Sequence, residues 1–260
     1  MAKKKTGKRW SKKGGHKKVR IVRLFLLLVF FCSLIAGGIY ITKEYIYPSN
    51  RFESDKYFVK GIDVSHHNPI LNWENVASQN ISFAYLKATE GISHKDRNYI
   101  YNYQLAKQAG LKVGGYHFFS FAISGEEQAR HFIETLQHAS GDLIPAIDVE
   151  HSKSNIYSKD AEFRQIVTDE LKAMEVTLYD YFGVHPIIYT NNDCYSLYIK
   201  GHFQNNALWI SDLKSEPNDK ISNWRIWQFT HKGKLSGVNE PIDLNYYRYS
   251  FQEFQELLLP

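Results

Sequence analysis

Two acids one residue apart, Asp148 and Glu150, close the apolar run "DLIPAIDVE" at residues 142–150. On a strand, residues i and i+2 face the same side, about 6–7 Å apart at roughly 3.3 Å per residue. Like charges held that close raise the proton affinity of at least one of them. A carboxyl that keeps its proton near neutral pH can donate it to a glycosidic oxygen, while an ionised neighbour stabilises developing positive charge. Carboxylate separations of about 5–5.5 Å suit retaining sugar hydrolysis and about 6.5–9.5 Å inverting hydrolysis. Backbone spacing leaves both outcomes open, and a bare D-x-E is also compatible with a metal site or a solvated strand end.

Other chemistry-bearing residues fall at the ends of strand-like segments. Asp63 sits in "GIDVSHH", Lys87 and Glu90 in "YLKATEG", Tyr116 and His117 in "GGYHF", and Asp243 in "IDLNYY". Lys87 and Glu90 read as a salt bridge facing a cleft, and His117 as a hydrogen-bonded core histidine. Trp209 and Trp227 are candidates either for stacking on a sugar face or for burial in the core.

The elements that position them alternate. Eight strand candidates run through "YFVKGIDVS", "ISFAYLKAT", "LKVGGYHFFS", "LIPAIDVE", "PIIYT", "ALWIS", "RIWQFT" and "PIDLNYY". Helical patterns lie between the early ones: a short helix at "WENVASQ", one near 98–109, one opened by a Ser124/Glu127 capping box and running to about His138, and a long one at 161–182. The long helix carries Phe163, Ile166, Val167, Leu171, Met174 and Leu178 on one stripe. Strand–helix alternation predicts a parallel sheet, and eight strands predict an α/β fold closed into an irregular eight-stranded β/α barrel, TIM-like, with its chemistry at the C-terminal strand ends. An open doubly wound sheet is the alternative.

Charge is distributed unevenly. Residues 1–23 hold eleven Lys and Arg and no acid, so the overall net charge of +5 conceals 21 basic against 27 acidic side chains in the rest. A nucleic-acid binder keeps a basic face on its folded part, so no nucleic-acid partner is expected. The next nineteen residues, 24–42, carry no charge and are long enough to cross a bilayer core. The expected organisation is a basic cytoplasmic segment at 1–23, a single N-terminal transmembrane helix at 24–42, a stalk at 43–56 and a catalytic barrel at 57–260. The basic flank orients the barrel outward from a bacterial cell membrane. Secretion after cleavage of a signal peptide ending near "LIAGG" is the competing reading. Cys32 and Cys194 form no disulfide framework, and no Cys/His zinc spacing occurs.

Eight phrases in order carry a resemblance: "GIDVSHHNPILNW" at 61–73, "FAYLKATEG" at 83–91, "GLKVGGYHF" at 110–118, "PAIDVE" at 145–150, "IIYT" at 187–190, "LWIS" at 208–211, "IWQFT" at 226–230 and "IDLNYY" at 242–247. They resemble glycoside hydrolase family 25, the Chalaropsis-type lysozymes or N-acetylmuramidases, over roughly residues 57–250. The resemblance implies hydrolysis of the β-1,4 bond between N-acetylmuramic acid and N-acetylglucosamine in peptidoglycan glycan strands, without cofactor or metal. It matches Glu150 to the proton donor and Asp148 to a partner that steers the substrate's 2-acetamido group. It matches Asp63 and Asp243 to the other acids of the cleft, Asp243 with an open role, and Tyr116 and Tyr189 to aromatics bordering the reactive subsite. His66 and His67 depart from the family's usual form of that motif.

Two other functions compete. A metal-dependent polysaccharide deacetylase would draw zinc ligands from Asp63, His66, His67 and His117. A peptidoglycan-binding protein on the same fold would bind glycan without cutting it.

Overall fold

The computed structural model describes residues 13–41, 55–221 and 223–260. It divides into two compact units, residues 1–48 and 49–260. The first contains helix α1 (Lys13–Ile41). Its stretch Arg20–Ile39 has a mean hydropathy of 2.4 and, by length and composition, is able to cross a membrane. Leu24, Phe25, Leu26, Leu27 and Leu28 are consecutive and all exposed, so the helix is apolar all round rather than along one stripe. The helix begins inside the predicted basic segment 1–23, and most of the predicted stalk 43–56 lies outside the described residues.

The second unit is a closed barrel. Its strands are β1 (Lys60–Val64), β2 (Ile81–Glu90), β4 (Lys112–Phe118), β5 (Ala146–Val149), β6 (Ile187–Asn191), β7 (Leu208–Ser211), β8 (Trp224–Gly233) and β9 (Ile242–Tyr247). A two-residue strand β3 (His94–Lys95) pairs with the end of β2 outside the ring. The order β1-β9-β8-β7-β6-β5-β4-β2 returns to β1 through the β1–β2 ladder. All eight predicted strands are therefore in the ring. The all-parallel expectation needs one correction, because β9 runs antiparallel to both β8 and β1. The link from β8 to β9 spans only residues 234–241, and a parallel crossover needs about a dozen or more.

Helices α2 (Trp73–Ala77), α3 (Tyr99–Gln108), α4 (Gly125–Thr135) and α5 (Ala161–Phe182) pack around the first half of the ring. Ser124 caps α4 by accepting from the Glu127 N–H, as the capping box predicts, but the helix stops at Thr135 rather than His138. On α5 the buried stripe is Val167, Leu171, Met174 and Leu178. Ile166 of the predicted stripe is exposed instead.

Strand alternation sorts the apolar residues into two cores. Ile62, Ala84, Val113, Ile147, Ile188 and Ile210 face the helices. Phe83, Tyr85, Ala146, Ile187, Trp209, Ile226 and Tyr247 fill the barrel interior with Phe254 and Leu257 of the C-terminal turn. Gly61 and Gly114 make room for that filling: a Cβ on either would fall within 3 Å of the Phe83 or Tyr85 ring. The closed end of the barrel is sealed by a bridge between Leu143 and Leu258, and the open end is left to polar side chains.

Candidate active site

The reversed direction of β9 places Asp243. In a parallel strand the second residue would lie at the sealed end. Running antiparallel, β9 begins at the open end, and Asp243 pairs directly with Asp63 of β1. On the far wall Asp148 of β5 lies in register with Tyr189 of β6. Glu150 follows one residue beyond β5. Asp63, Asp148, Glu150 and Asp243 all line one open cavity of about 170 Å³, with Tyr116, Tyr189, Trp209 and His231.

Burial sets the protonation of these acids. Asp148 is 7% exposed, and its carboxyl is pushed well above the ordinary range, first by burial and then by the charge of Glu150. Its buried Oδ1 makes no hydrogen bond among the described residues. Glu150 is also raised, chiefly by burial, with His231 pulling the other way. The two acids thus hold protons more tightly than free carboxyls, which is the condition for proton donation near neutral pH. The loop carrying Glu150 is tied down by buried Asn155. Its Nδ2 donates to Phe119 O at 2.6 Å and to Glu150 O at 3.2 Å, while its Oδ1 accepts from Phe121 N.

Asp63 is held by a hydrogen-bond chain of fixed polarity. Trp209 Nε1 can only donate, and it donates to Asn245 Oδ1 at 2.8 Å. The Asn245 amide is thereby turned so that Nδ2 donates to Asp63 Oδ2 at 2.7 Å. Gln228 Nε2 donates to the same oxygen at 2.9 Å, and its Oε1 accepts from Tyr189 and Ser211. Burial, then the nearby charge of Asp243, pushes Asp63 up to about 8 despite these two donors.

Other predicted residues are placed less uniformly. Tyr116, Tyr189 and Trp209 line the cavity, Trp209 as its floor against Tyr85 and Tyr189. Lys87 is buried and donates to Glu90 at 2.6 Å, and its charge acts on both Asp148 and Glu150. Trp227 is on the other side of the sheet. Gln228 faces the acids, so its neighbour faces out, and Trp227 packs with Tyr57, Phe229 and Tyr246. The zinc-ligand set is dispersed as well. His117 is fully buried against Phe132 of α4, its Nε2–H donating to Gln128 and its Nδ1 accepting from Thr89. His66 is paired with Asp96 at 2.7 Å. No group of three metal-ligating side chains occurs among the described residues.

Gln228, Asn245, Asn155 and His231 are site residues that the sequence reading did not single out. The first two lie two positions from recognisable strand residues, inside the quoted phrases, and strand alternation alone assigns them to the acids' side.

Comparison with known proteins agrees with this geometry. The chain is 32% identical to lysozyme M1 of Streptomyces globisporus, across 74% of this chain and 68% of that one. It is 30% identical to an N,O-diacetylmuramidase of Chalaropsis sp., across 71% and 96% respectively. A solved family 25 glycosyl hydrolase from Bacillus anthracis superposes with a TM-score of 0.71 at 34% identity, covering 78% of this chain and 95% of that structure. Residues 62–238 match the family profile described as glycosyl hydrolases family 25. That span carries Asp63, Asp148 and Glu150, and the chain belongs to glycosyl hydrolase family 25.

Proposed function

We propose that this enzyme is an outward-facing muramidase, held at the membrane by α1, that cuts the β-1,4 bond between N-acetylmuramic acid and N-acetylglucosamine in peptidoglycan. The observation that carries the reading is the cavity in which buried Asp148 and half-buried Glu150 face Asp63 and Asp243. Family membership and the lysozyme and muramidase relatives support the substrate class.

In this reading Glu150, at the cavity mouth, gives its proton to the glycosidic oxygen. Asp148 lies deeper and offers its unpaired Oδ1 to the substrate's 2-acetamido N–H, steering that group's carbonyl toward the anomeric carbon. Asp243 flanks the sugar and stabilises the positive charge that builds on its ring, while Asp63, fixed by Asn245 and Gln228, forms a polar wall of the same pocket. Tyr116, Tyr189 and Trp209 supply the flat apolar surface on which a sugar ring rests.

Digestion of purified sacculi by the full chain in detergent, read by mass spectrometry, tests the bond. Products ending in reducing muramic acid are expected. Reducing glucosamine would make it a glucosaminidase, and binding without new reducing ends would make it a glycan-binding protein. Activity unchanged by EDTA is expected, whereas loss on chelation would favour the deacetylase. Membrane attachment is tested separately: a mature chain that keeps residues 1–23 in the membrane fraction is expected, and a shortened chain in the medium contradicts it.

A further inference from the structure

His231 reaches the cavity only because β8 is irregular. Ile226 and Gln228 face inward, so regular alternation would turn residue 231 outward with Trp227 and Phe229. The β8–β9 register shifts twice, between Gln228 and Thr230 and again between Thr230 and Gly233. Bulges of this kind re-aim a side chain, and here the imidazole lines the cavity. Its Nδ1 lies 3.3 Å from Asp243 Oδ1, and the side chain is 42% exposed at the cavity mouth.

Of the eight residues lining the cavity, four are acids and His231 is the one able to carry positive charge. The charged groups that act on it come from three strands: Asp243 from β9, Asp63 from β1 and Glu150 from the end of β5. Lys87 of β2 also acts on Asp148 and Glu150, but it is already engaged with Glu90. The hydrogen bond to Asp243 raises the imidazole's proton affinity, burial lowers it, and the three carboxylate charges raise it further. In return the imidazolium lowers the proton affinity of Glu150 and of Asp63.

We propose that His231 is a positioning residue for the hydrolytic reaction: its imidazolium fixes the Asp243 carboxylate and supplies the positive charge that lets four acids share one cavity. This deepens the muramidase reading and rests on it. It acts through Asp243 and Glu150 rather than on the substrate.

The test combines two readouts on the full chain in detergent. The first is the pH profile of kcat/KM on solubilised wall glycan for wild type, His231→Gln and His231→Lys. Removing the cation raises the proton affinity of Glu150, so the alkaline limb of His231→Gln is expected to move up by about half a unit to one unit, and His231→Lys to bring it back. The second is the NMR titration of the His231 imidazole, which is expected to lose its proton at lower pH in Asp243→Asn. A His231→Gln profile superimposed on wild type overturns the proposal. So does a shift that Lys cannot reverse, or an imidazole titration indifferent to Asp243→Asn. The titration needs no turnover, so a failed muramidase reading and a failed ion pair appear in different measurements.

Discussion

Asp63 and Asp243 oppose each other as paired residues of the β1–β9 antiparallel ladder, two acids sharing one register position at the open end of the barrel. Like charges directly opposite on a sheet are destabilising, and burial, then the charge of Asp243, holds the Asp63 proton up to about pH 8. An acid raised from 3.8 contributes stability that is fully present below that value and is lost as pH rises through 8. Asp63→Asn keeps an oxygen for the Gln228 and Asn245 donors and cannot ionise. Its melting temperature is expected to match wild type near pH 4 and to exceed it by a margin that widens as pH rises toward 8. Calorimetry across that range checks it, and a gap that shrinks with rising pH contradicts the protonation assigned to Asp63.

Glu150→Gln keeps the shape of the proposed donor and removes its proton. A fall in kcat of about 10²–10⁴-fold with little change in KM is expected. Reducing-end release from sacculi measures it, and turnover near the wild-type rate would take the donor role from Glu150.

Trp209→Phe preserves the ring at the cavity floor but deletes the Nε1–H that orients Asn245. With Asn245 free to flip, a buried acceptor goes unmet at about 1–3 kcal/mol. The expected result is a melting temperature a few degrees lower and a kcat/KM reduced about tenfold.

His117 is held neutral by burial, its proton affinity lowered from 6.5 to about 3, with Nε2 protonated by its contact to Gln128. A base lowered in this way contributes stability present above 6.5 and lost as pH falls through 3. Nitrogen-15 NMR at pH 5 is expected to show a neutral Nε2–H ring. An imidazolium spectrum at that pH would mean that the β4–α4 contact is looser than the geometry indicates.

The ring of strands was legible in the sequence because its inner and outer faces are both apolar and each run stops at polar residues. The acid pair was legible because a period of two is unambiguous over two residues. Trp227 misled because an aromatic type suggests a sugar platform on either face of a strand, and only the phase that sets it opposite Gln228 assigns it to the core. Asp243 was expected on a late strand of a parallel barrel, where the second residue of its strand would lie at the sealed end. The reversal of β9, which the sequence does not show, is what brings it to the open end. His231 could not be read at all: its placement comes from two register shifts, and a bulge leaves no mark in the alternation of a single strand.

The β1–β9 ladder also sets a schedule. Residue 60 waits for residue 246 before its ladder exists, so the sheet keeps two raw edges through most of synthesis. Such distant pairing folds slowly. Closure therefore comes last, and the ring is complete only when the C-terminal strand arrives to join its two margins.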